Sequence, residues 1–345
     1  MLYVTTTEKS DAFTPPRTFF EDRGPDGGLF VPRQTVSFDL PLLVELETVS
    51  FGDRIARILN VFFSVKLTGW DVDSAIGRCP VKAQSMSHRI IVAELWQNLD
   101  GSFDRLEQIL AEKIRCDGDT LRDPSSWVRI SIRIAILFAT YAEFVRSGAA
   151  DWTEKVDISA VTGDYSWPMA VWYAREMGLP VANIICSCNE NCAIWDLLHH
   201  GELKTDAQLI RTTTPLADVS LPAELERLIF GTLGRECTVD YLATCRRGGL
   251  YIPPAEQFDN LRSGLFASVV SRARVDVLIS SVYRTNSYIM GPYTALAYGG
   301  LTDYRAKTGE SRMALILAER APEQDIPAVA QAMGLSEEQL LAQRN

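Results

Sequence analysis

The sequence has no hydrophobic run long enough to cross a bilayer. Its most apolar stretch, residues 127–144, carries Arg129 and Arg133 near its start, and these interrupt the ~18 apolar residues that a spanning helix needs. The first residues, Met-Leu-Tyr-Val-Thr, lack the basic region and following apolar region of a secretory signal. We therefore expect a cytoplasmic protein with no membrane segment.

Clusters of basic residues are also missing. Asp and Glu together number 44 against 34 Lys and Arg, which gives a formal net charge of −10. Nucleic acids and anionic membranes are bound through positive surface patches. We expect neither as a partner, while 47% hydrophobic and 23% charged residues are ordinary for a globular protein.

Cysteine is too sparse and too irregularly placed for a disulfide framework. The chain has seven cysteines, an odd number, and this fits reduced thiols. One group could suggest a metal site, namely Cys186, Cys188 and Cys192 with His199 and His200 nearby. Because the first two end a predicted strand and the third lies in the following helix, we interpret them as buried thiols and expect no metal.

What the sequence does contain is an alternation of strands and helices between residues 156 and 234. Residues 158–162 form a short apolar run, and Pro168 then opens a helix that ends at Gly178. Residues 181–188 form a second buried strand. This order predicts strand, turn, helix and strand in a parallel arrangement.

Further elements extend this pattern. Strands are predicted at residues 209–212, 275–282 and 313–317, and helices at residues 50–63, 103–114, 127–144, 191–198 and 221–230. Strands that alternate with helices need right-handed crossovers and a sheet covered on both faces. The sequence therefore predicts an α/β fold with a mostly parallel sheet flanked by helices.

Five motifs in this region resemble, in order and spacing, the second half of threonine synthase. They are residues 161–165 (VTGDY), 173–180 (YAREMGLP), 188–191 (CNEN), 214–218 (TPLAD) and 224–228 (ELERL). Residues 20–32 and 289–301 extend the resemblance towards both ends. It implies the type II fold of pyridoxal-phosphate (PLP) enzymes, in a truncated and divergent member.

The resemblance also implies a division of the chain. Residues 1–122 would be an N-terminal region with a remnant of the cofactor lobe, and residues 123–345 an α/β domain like the C-terminal half of the family. Residues 115–124 stand where the family has its Gly-rich lobe. Gly-Asp-Thr at 118–120 resembles part of that lobe's loop, but a polar connector left by a large deletion is the preferred interpretation.

The family's Schiff-base lysine has no counterpart. Residues 92–106 resemble the segment that carries it, yet Phe103 is followed by Asp104 and then Arg105. A carboxylate cannot form an imine with an aldehyde. We expect no catalytic residue at this position and no bound cofactor.

The loop that would hold the cofactor phosphate is altered as well. By resemblance it comprises Thr162, Gly163, Asp164, Tyr165 and Ser166. Asp164 places a negative charge where the family needs uncharged residues near a dianion. The family's pyridine contact falls at Ala318 and Glu319, so we expect a degenerate cofactor site.

The segment after the gap resembles the family's substrate side. Ser126 and Arg129 occupy the matching positions next to Trp127. Arg129 and Arg133 lie one helical turn apart, where both could face a small anionic ligand or an acidic partner. The alternative is that they pair with acidic residues on the helix surface.

Together these features favour a threonine-synthase-like pseudoenzyme that has lost PLP catalysis and acts as a binding or regulatory partner. One alternative is a PLP-dependent lyase with a relocated lysine, which would cleave a carbon–oxygen bond in a phosphate-bearing amino acid. Another is a cofactor-independent enzyme in a cleft around Asp104, Asp164 and Glu319. A third is a purely structural partner.

Loss of the lobe predicts an exposed apolar face. Trp96, Leu106, Trp127 and Trp167 would have little to pack against, and large apolar patches are rare on soluble monomers. We therefore expect a homodimer or a complex with a related protein. The alternative is that residues 68–88, an insertion-like stretch, cover the gap from within.

Overall fold

A computed structural model describes residues 1–7, 12–78, 81–96, 102–114 and 125–342. Lys9 and the predicted connector at residues 115–124, with the loop remnant at 118–120, lie outside the described residues. No helix in these ranges combines the length and apolarity needed to span a membrane.

One six-stranded sheet organises the described chain. The strands are β1 (Tyr3–Thr5), β2 (Phe30–Pro32), β3 (Lys82–Met86), β4 (Ile90–Glu94), β5 (Val156–Val161), β6 (Val181–Cys188), β7 (Leu203–Lys204), β8 (Leu250–Tyr251), β9 (Leu265–Val269) and β10 (Ala314–Ala318). The central sheet has the order β3-β4-β10-β5-β6-β9, and only β3 at its edge is antiparallel. The predicted mostly parallel α/β fold is confirmed.

Helices cover both faces of this sheet. They are α1 (Arg17–Phe20), α2 (Leu40–Glu47), α3 (Phe51–Phe63), α4 (Gly69–Ile76), α5 (Ser102–Ile114), α6 (Trp127–Arg146), α7 (Ser166–Glu176), α8 (Ala193–His200), α9 (Leu225–Arg247), α10 (Phe258–Arg262), α11 (Arg272–Asn286), α12 (Pro292–Thr308), α13 (Ile326–Met333) and α14 (Glu337–Ala342). Neighbouring residues of β6 pack into two different hydrophobic cores. Ile184 belongs to the core that contains α3 and α6, and Ile185 to the core that contains α11 and α12. Side chains alternate across a strand, and this alternation explains the buried pattern of the central strands.

Local sequence signals set the helix ends near the site. Ser126 caps α6, because its hydroxyl accepts a hydrogen bond from the Arg129 amide at 3.3 Å. Helix α7 stops before Gly178, whose φ of +109° suits glycine and whose Cα lies against the Phe38 carbonyl. These ends fix where α6 and α7 meet the sheet.

Two predicted strands are wrong. Residues 275–282 lie in helix α11, where Val275, Ile279 and Val282 are buried at helical spacing while Val277 is 62% exposed. An apolar run alone does not separate a buried strand from a helix face. The neighbour of β6 is instead β9, a strand that the sequence analysis missed.

The segment 209–212 is an irregular connection outside every sheet. Its backbone is held by a side chain, since the Asn191 amide donates to the Ile210 carbonyl at 2.8 Å and accepts from the Ile210 amide at 2.9 Å. Leu209 and Ile210 are each about half exposed. The helix predicted from residue 221 begins at Leu225.

The prediction of an exposed apolar face is also wrong. Leu106 and Trp127 are fully buried, Trp167 is 4% exposed, and Trp96 is half-buried. Helix α4 packs against α5 and buries Val72 and Ile76. The insertion-like stretch thus supplies a helix against α5, and it also supplies the edge strand β3.

Candidate functional site

A cavity of about 710 Å³ opens at the carboxyl ends of β5 and β10. Ligands in open α/β sheets bind outside the carboxyl ends of the strands. The lining comprises Trp96, Arg133, Val161, Thr162, Gly163, Asp164, Ser166, Trp167, Leu216, Ala217, Tyr293, Glu319, Arg320, Ala321 and Gln324. The cavity therefore gathers the loop after β5, the end of β10 and one residue of α6.

In the loop after β5, polar groups of the chain form hydrogen bonds with one another. Gly163 and Tyr165 have φ values of +44° and +69°, and the turn brings Asp164 back onto the start of α7. Asp164 Oδ1 accepts from the Ser166 amide at 2.9 Å and from the Ser166 hydroxyl at 2.5 Å. A carboxylate of the chain thus occupies the first amide of a helix N-terminus, the kind of site that elsewhere binds a phosphate.

The predicted loop residues do not all reach the cavity. Thr162, Gly163, Asp164 and Ser166 line it, but the buried Tyr165 side chain lies elsewhere, and its hydroxyl meets Cys186 Sγ at 3.4 Å. Burial raises the pKa of the Cys186 thiol to about 12. Tyr165 therefore shapes the loop from the core side.

Glu319 follows β10 and reaches into the cavity. Its carboxylate accepts a hydrogen bond from Trp167 Nε1. The side chain keeps solvent access through the cavity, yet protein atoms crowd the carboxylate and raise its pKa; Arg133 opposes this shift and the Asp164 charge adds to it. The cavity thus holds two carboxylates in different surroundings.

Arg133 is the cation that faces them. Its guanidinium lies over the Phe103 ring at 4.9 Å and the Trp167 ring at 5.5 Å. It donates to the Arg129 carbonyl at 3.4 Å, while its buried Nε has no hydrogen-bond partner. No carboxylate in the described ranges lies within 4.0 Å of this guanidinium, although Glu319 feels its charge.

Tyr293 and Arg320 form another part of the lining. The Tyr293 hydroxyl accepts from the Leu216 amide at 3.1 Å, and Arg320 lies over its ring at 5.6 Å. Arg320 is itself paired, because its Nε is 2.7 Å from Asp325 Oδ2. Arg320 thus brings little free charge to the cavity.

Asp104, Arg129 and Ser126 form a separate group. Asp104 is exposed in the first turn of α5 and pairs with Arg129, which also reaches Glu107 Oε2 at 3.2 Å. None of the three lines the cavity. Pairing with acidic residues, the alternative for Arg129, fits this geometry, although Glu107 is buried and only Asp104 lies at the surface. Ser126 acts as a helix cap.

Lysine is missing from the cavity lining as the structure describes it. Lys82 pairs with Glu94 at 3.8 Å and Lys113 with Asp71 at 3.0 Å, both away from the cavity. A cofactor aldehyde would find no amine there, and its phosphate would find the Asp164 carboxylate on the amide it needs. The residues present therefore do not fit PLP.

Sequence reasoning missed Trp96, Leu216 and Arg320 as lining residues. Arg320 could have been found, because it follows a predicted strand and strand ends converge at one sheet edge. Leu216 reaches the cavity from the connection after β7, which has no periodic signal. Over the ranges described, no group of three or more His, Cys, Asp or Glu is placed to hold a metal.

The chain is similar in sequence to several curated proteins. No family model matches the chain. A threonine synthase of Corynebacterium glutamicum is 28% identical over 207 residues, which is 57% of this chain and 43% of that protein. Threonine synthase-like 1 of Mus musculus is 24% identical over 215 residues, covering 61% of this chain and 28% of that protein. The matches thus span less than half the length of these curated relatives.

Solved structures share the fold over more of the chain. PLP-bound threonine synthase from Brucella melitensis superposes with a TM-score of 0.81 at 18% identity, covering 97% of this chain and 92% of that one. The yeast enzyme gives 0.80 at 15% identity, with 96% and 90% covered. The sequence relatives, at modest identity, and the shared type II fold together support a divergent member of the threonine synthase family.

Proposed function

We propose that this chain is a threonine-synthase-like pseudoenzyme that binds a small ligand or a partner protein without PLP catalysis. The observation that carries the proposal is the bond from the Ser166 amide to Asp164 Oδ1 at the start of α7. A phosphate placed there would displace this carboxylate or lie beside it. Like charges about 4 Å apart repel by roughly 1 kcal/mol in water and by more in a partly closed cavity.

A second feature supports the same proposal. The next residues of α7 are Trp167 and Pro168, and proline has no amide hydrogen to donate. In the same cavity Trp167 Nε1 donates a hydrogen bond to the Glu319 carboxylate. Side chains of the protein thus satisfy groups that a cofactor would otherwise contact.

A cofactor-independent enzyme is the second candidate. Asp164 and Glu319 line one cavity, and the protein atoms that crowd the Glu319 carboxylate raise its pKa. Two carboxylates in different surroundings are a common arrangement for general acid and base catalysis. Asp104 would have no part in it, since its side chain pairs with Arg129 away from the cavity.

The proposal includes the cytoplasm as compartment and a partner, either a second copy or a related protein. Free thiols at Cys186, Cys188, Cys192, Cys237 and Cys245 are compatible with a reducing compartment. Partner binding rests on the expectation that a family member without its chemistry keeps a binding role.

A visible absorbance titration with PLP tests the proposal. We expect no saturable new band at one PLP per chain, because no lining amine is there to form an internal aldimine. An authentic threonine synthase serves as the positive control. A saturable new band with one PLP per chain would refute the loss of cofactor chemistry.

A further inference from the structure

Arg133 is the one cation of the cavity lining that the described chain leaves without an ion pair. Arg320, the other lining cation, is held by Asp325. Arg133 keeps a buried Nε without a partner. A buried donor left unsatisfied is destabilising, so this guanidinium is a natural receptor for an incoming acceptor.

The position of Arg133 is fixed before any ligand arrives. Phe103 and Trp167 hold its guanidinium through ring contacts at 4.9 and 5.5 Å. A planar guanidinium held in one orientation suits the two oxygens of a carboxylate. Such preorganisation favours binding, because less side-chain entropy is lost.

Two carboxylates in the same cavity favour a ligand that carries a positive charge. Asp164 uses Oδ1 for Ser166, and Glu319 accepts from Trp167 Nε1, so each has a second oxygen left for a ligand. With Arg320 paired to Asp325, the free charges are one positive and two negative. A ligand with only a negative charge meets net repulsion, and one with only a positive charge leaves Arg133 unsatisfied.

The walls between these charges include apolar side chains. Trp96, Leu216, Ala217 and Tyr293 line them, and Leu216 is 67% exposed at the rim. A volume of about 710 Å³ accommodates a small organic molecule with an apolar side group. Phosphate esters are disfavoured, because a dianion would lie near both carboxylates.

We propose that the cavity binds a small zwitterion without a phosphate, with its carboxylate on Arg133 and its ammonium on Glu319 and Asp164. This inference rests on the proposed function, since it requires that no cofactor contacts Asp164 and Glu319. It specifies the ligand class of that site and assigns a role to each free charge.

Calorimetric titration of the full chain with three matched probes tests this inference. L-phenylalanine carries both charges, hydrocinnamate lacks the ammonium and phenethylamine lacks the carboxylate. We expect phenylalanine to bind about tenfold or more tightly than either, since each charge-assisted hydrogen bond that is lost weakens binding by about that factor. Inorganic phosphate is expected to leave phenylalanine binding unchanged.

Two variants assign the charges. Arg133→Gln should weaken phenylalanine by about tenfold without weakening phenethylamine, and Glu319→Gln should weaken phenylalanine without weakening hydrocinnamate. Arg146→Gln, at the exposed end of the same helix, and Glu337→Gln, in the exposed α14, are the matched controls. Circular dichroism of each variant checks that it folds, and the three-probe comparison on the natural chain does not depend on any variant.

Hydrocinnamate binding as tightly as phenylalanine would overturn the inference, as would a complete lack of phenylalanine binding. So would an Arg133→Gln variant that folds and binds phenylalanine normally. These outcomes are separate from the absorbance titration with PLP. If neither phenylalanine nor PLP binds, this inference fails and the loss of cofactor chemistry still stands.

Discussion

At the scale of single residues, Glu224 is a carboxyl group in the core. It is fully buried, and its Oε1 lies 2.5 Å from Arg227 Nη1, which is equally buried. Burial raises the pKa of Glu224 from 4.5 to about 7, although the Arg227 charge opposes the shift. A buried pair of this kind ties the stability of the fold to pH.

The sign of that dependence follows from the raised pKa. Stability contributed by Glu224 is fully present below its unfolded pKa of 4.5 and is lost as the pH rises through about 7. Glu319 acts in the same direction. We expect the free energy of unfolding to fall across this interval, and to fall less steeply in Glu224→Gln.

Urea unfolding at a series of pH values measures this dependence. Glu236→Gln, on the exposed side of the same helix α9, is the control and should keep the natural slope. Equal slopes for the natural chain and Glu224→Gln would contradict the assignment of the titration to Glu224.

Asp164 gives a second prediction at this scale. Replacing Asp164 with Ala removes the acceptor for the Ser166 amide and should lower the free energy of unfolding by about 1 kcal/mol, the usual effect of losing a helix-end cap. Asp164→Asn keeps an acceptor oxygen and should lose less. If the two variants unfold at the same urea concentration as the natural chain, Asp164 does not cap α7.

At the scale of elements, helix α4 packs on α5, the helix that precedes the predicted connector in the sequence. Val72→Ala should destabilise the chain by about 2 kcal/mol, because it removes two buried carbons and leaves a cavity. Trp70→Ala, on the same helix, is the control, since Trp70 is 70% exposed and little should change. Thermal unfolding of both variants decides whether α4 is part of the core.

The same scale shows how much could be predicted from the sequence. The elements from β5 to α8 follow from apolar runs with glycine and proline at their ends. The sequence predicts a strand where helix α11 lies, because Val275 to Val282 is rich in β-branched residues. The burial of this segment depends on α12 and α13 packing beside it. Asp164 and Glu319 could be placed from strand ends, whereas the unpaired state of Arg133 depends on side-chain positions that no pattern encodes.

At the scale of the whole molecule, residues 1–122 supply β3 and β4 to the same sheet as the later strands. Leu106, Trp127 and Trp167 are all buried, so they offer no surface for symmetric pairing. Pairing stays a prediction and would use other apolar side chains, such as the exposed Val277.

Light scattering over a concentration series tests the pairing. A dimer would have twice the chain mass of 38.4 kDa, and Val277→Asp should shift it towards the monomer if α11 takes part. A mass of 38.4 kDa at every concentration would contradict self-association.

The central proposal is that this chain keeps the cavity at the carboxyl ends of β5 and β10 without PLP chemistry. Incubation with PLP, borohydride reduction and peptide mass spectrometry test it most directly, because any imine becomes a permanent mark on its lysine. We predict scattered, substoichiometric labelling of surface lysines such as Lys66 and Lys307. Stoichiometric labelling of one lysine would contradict the account.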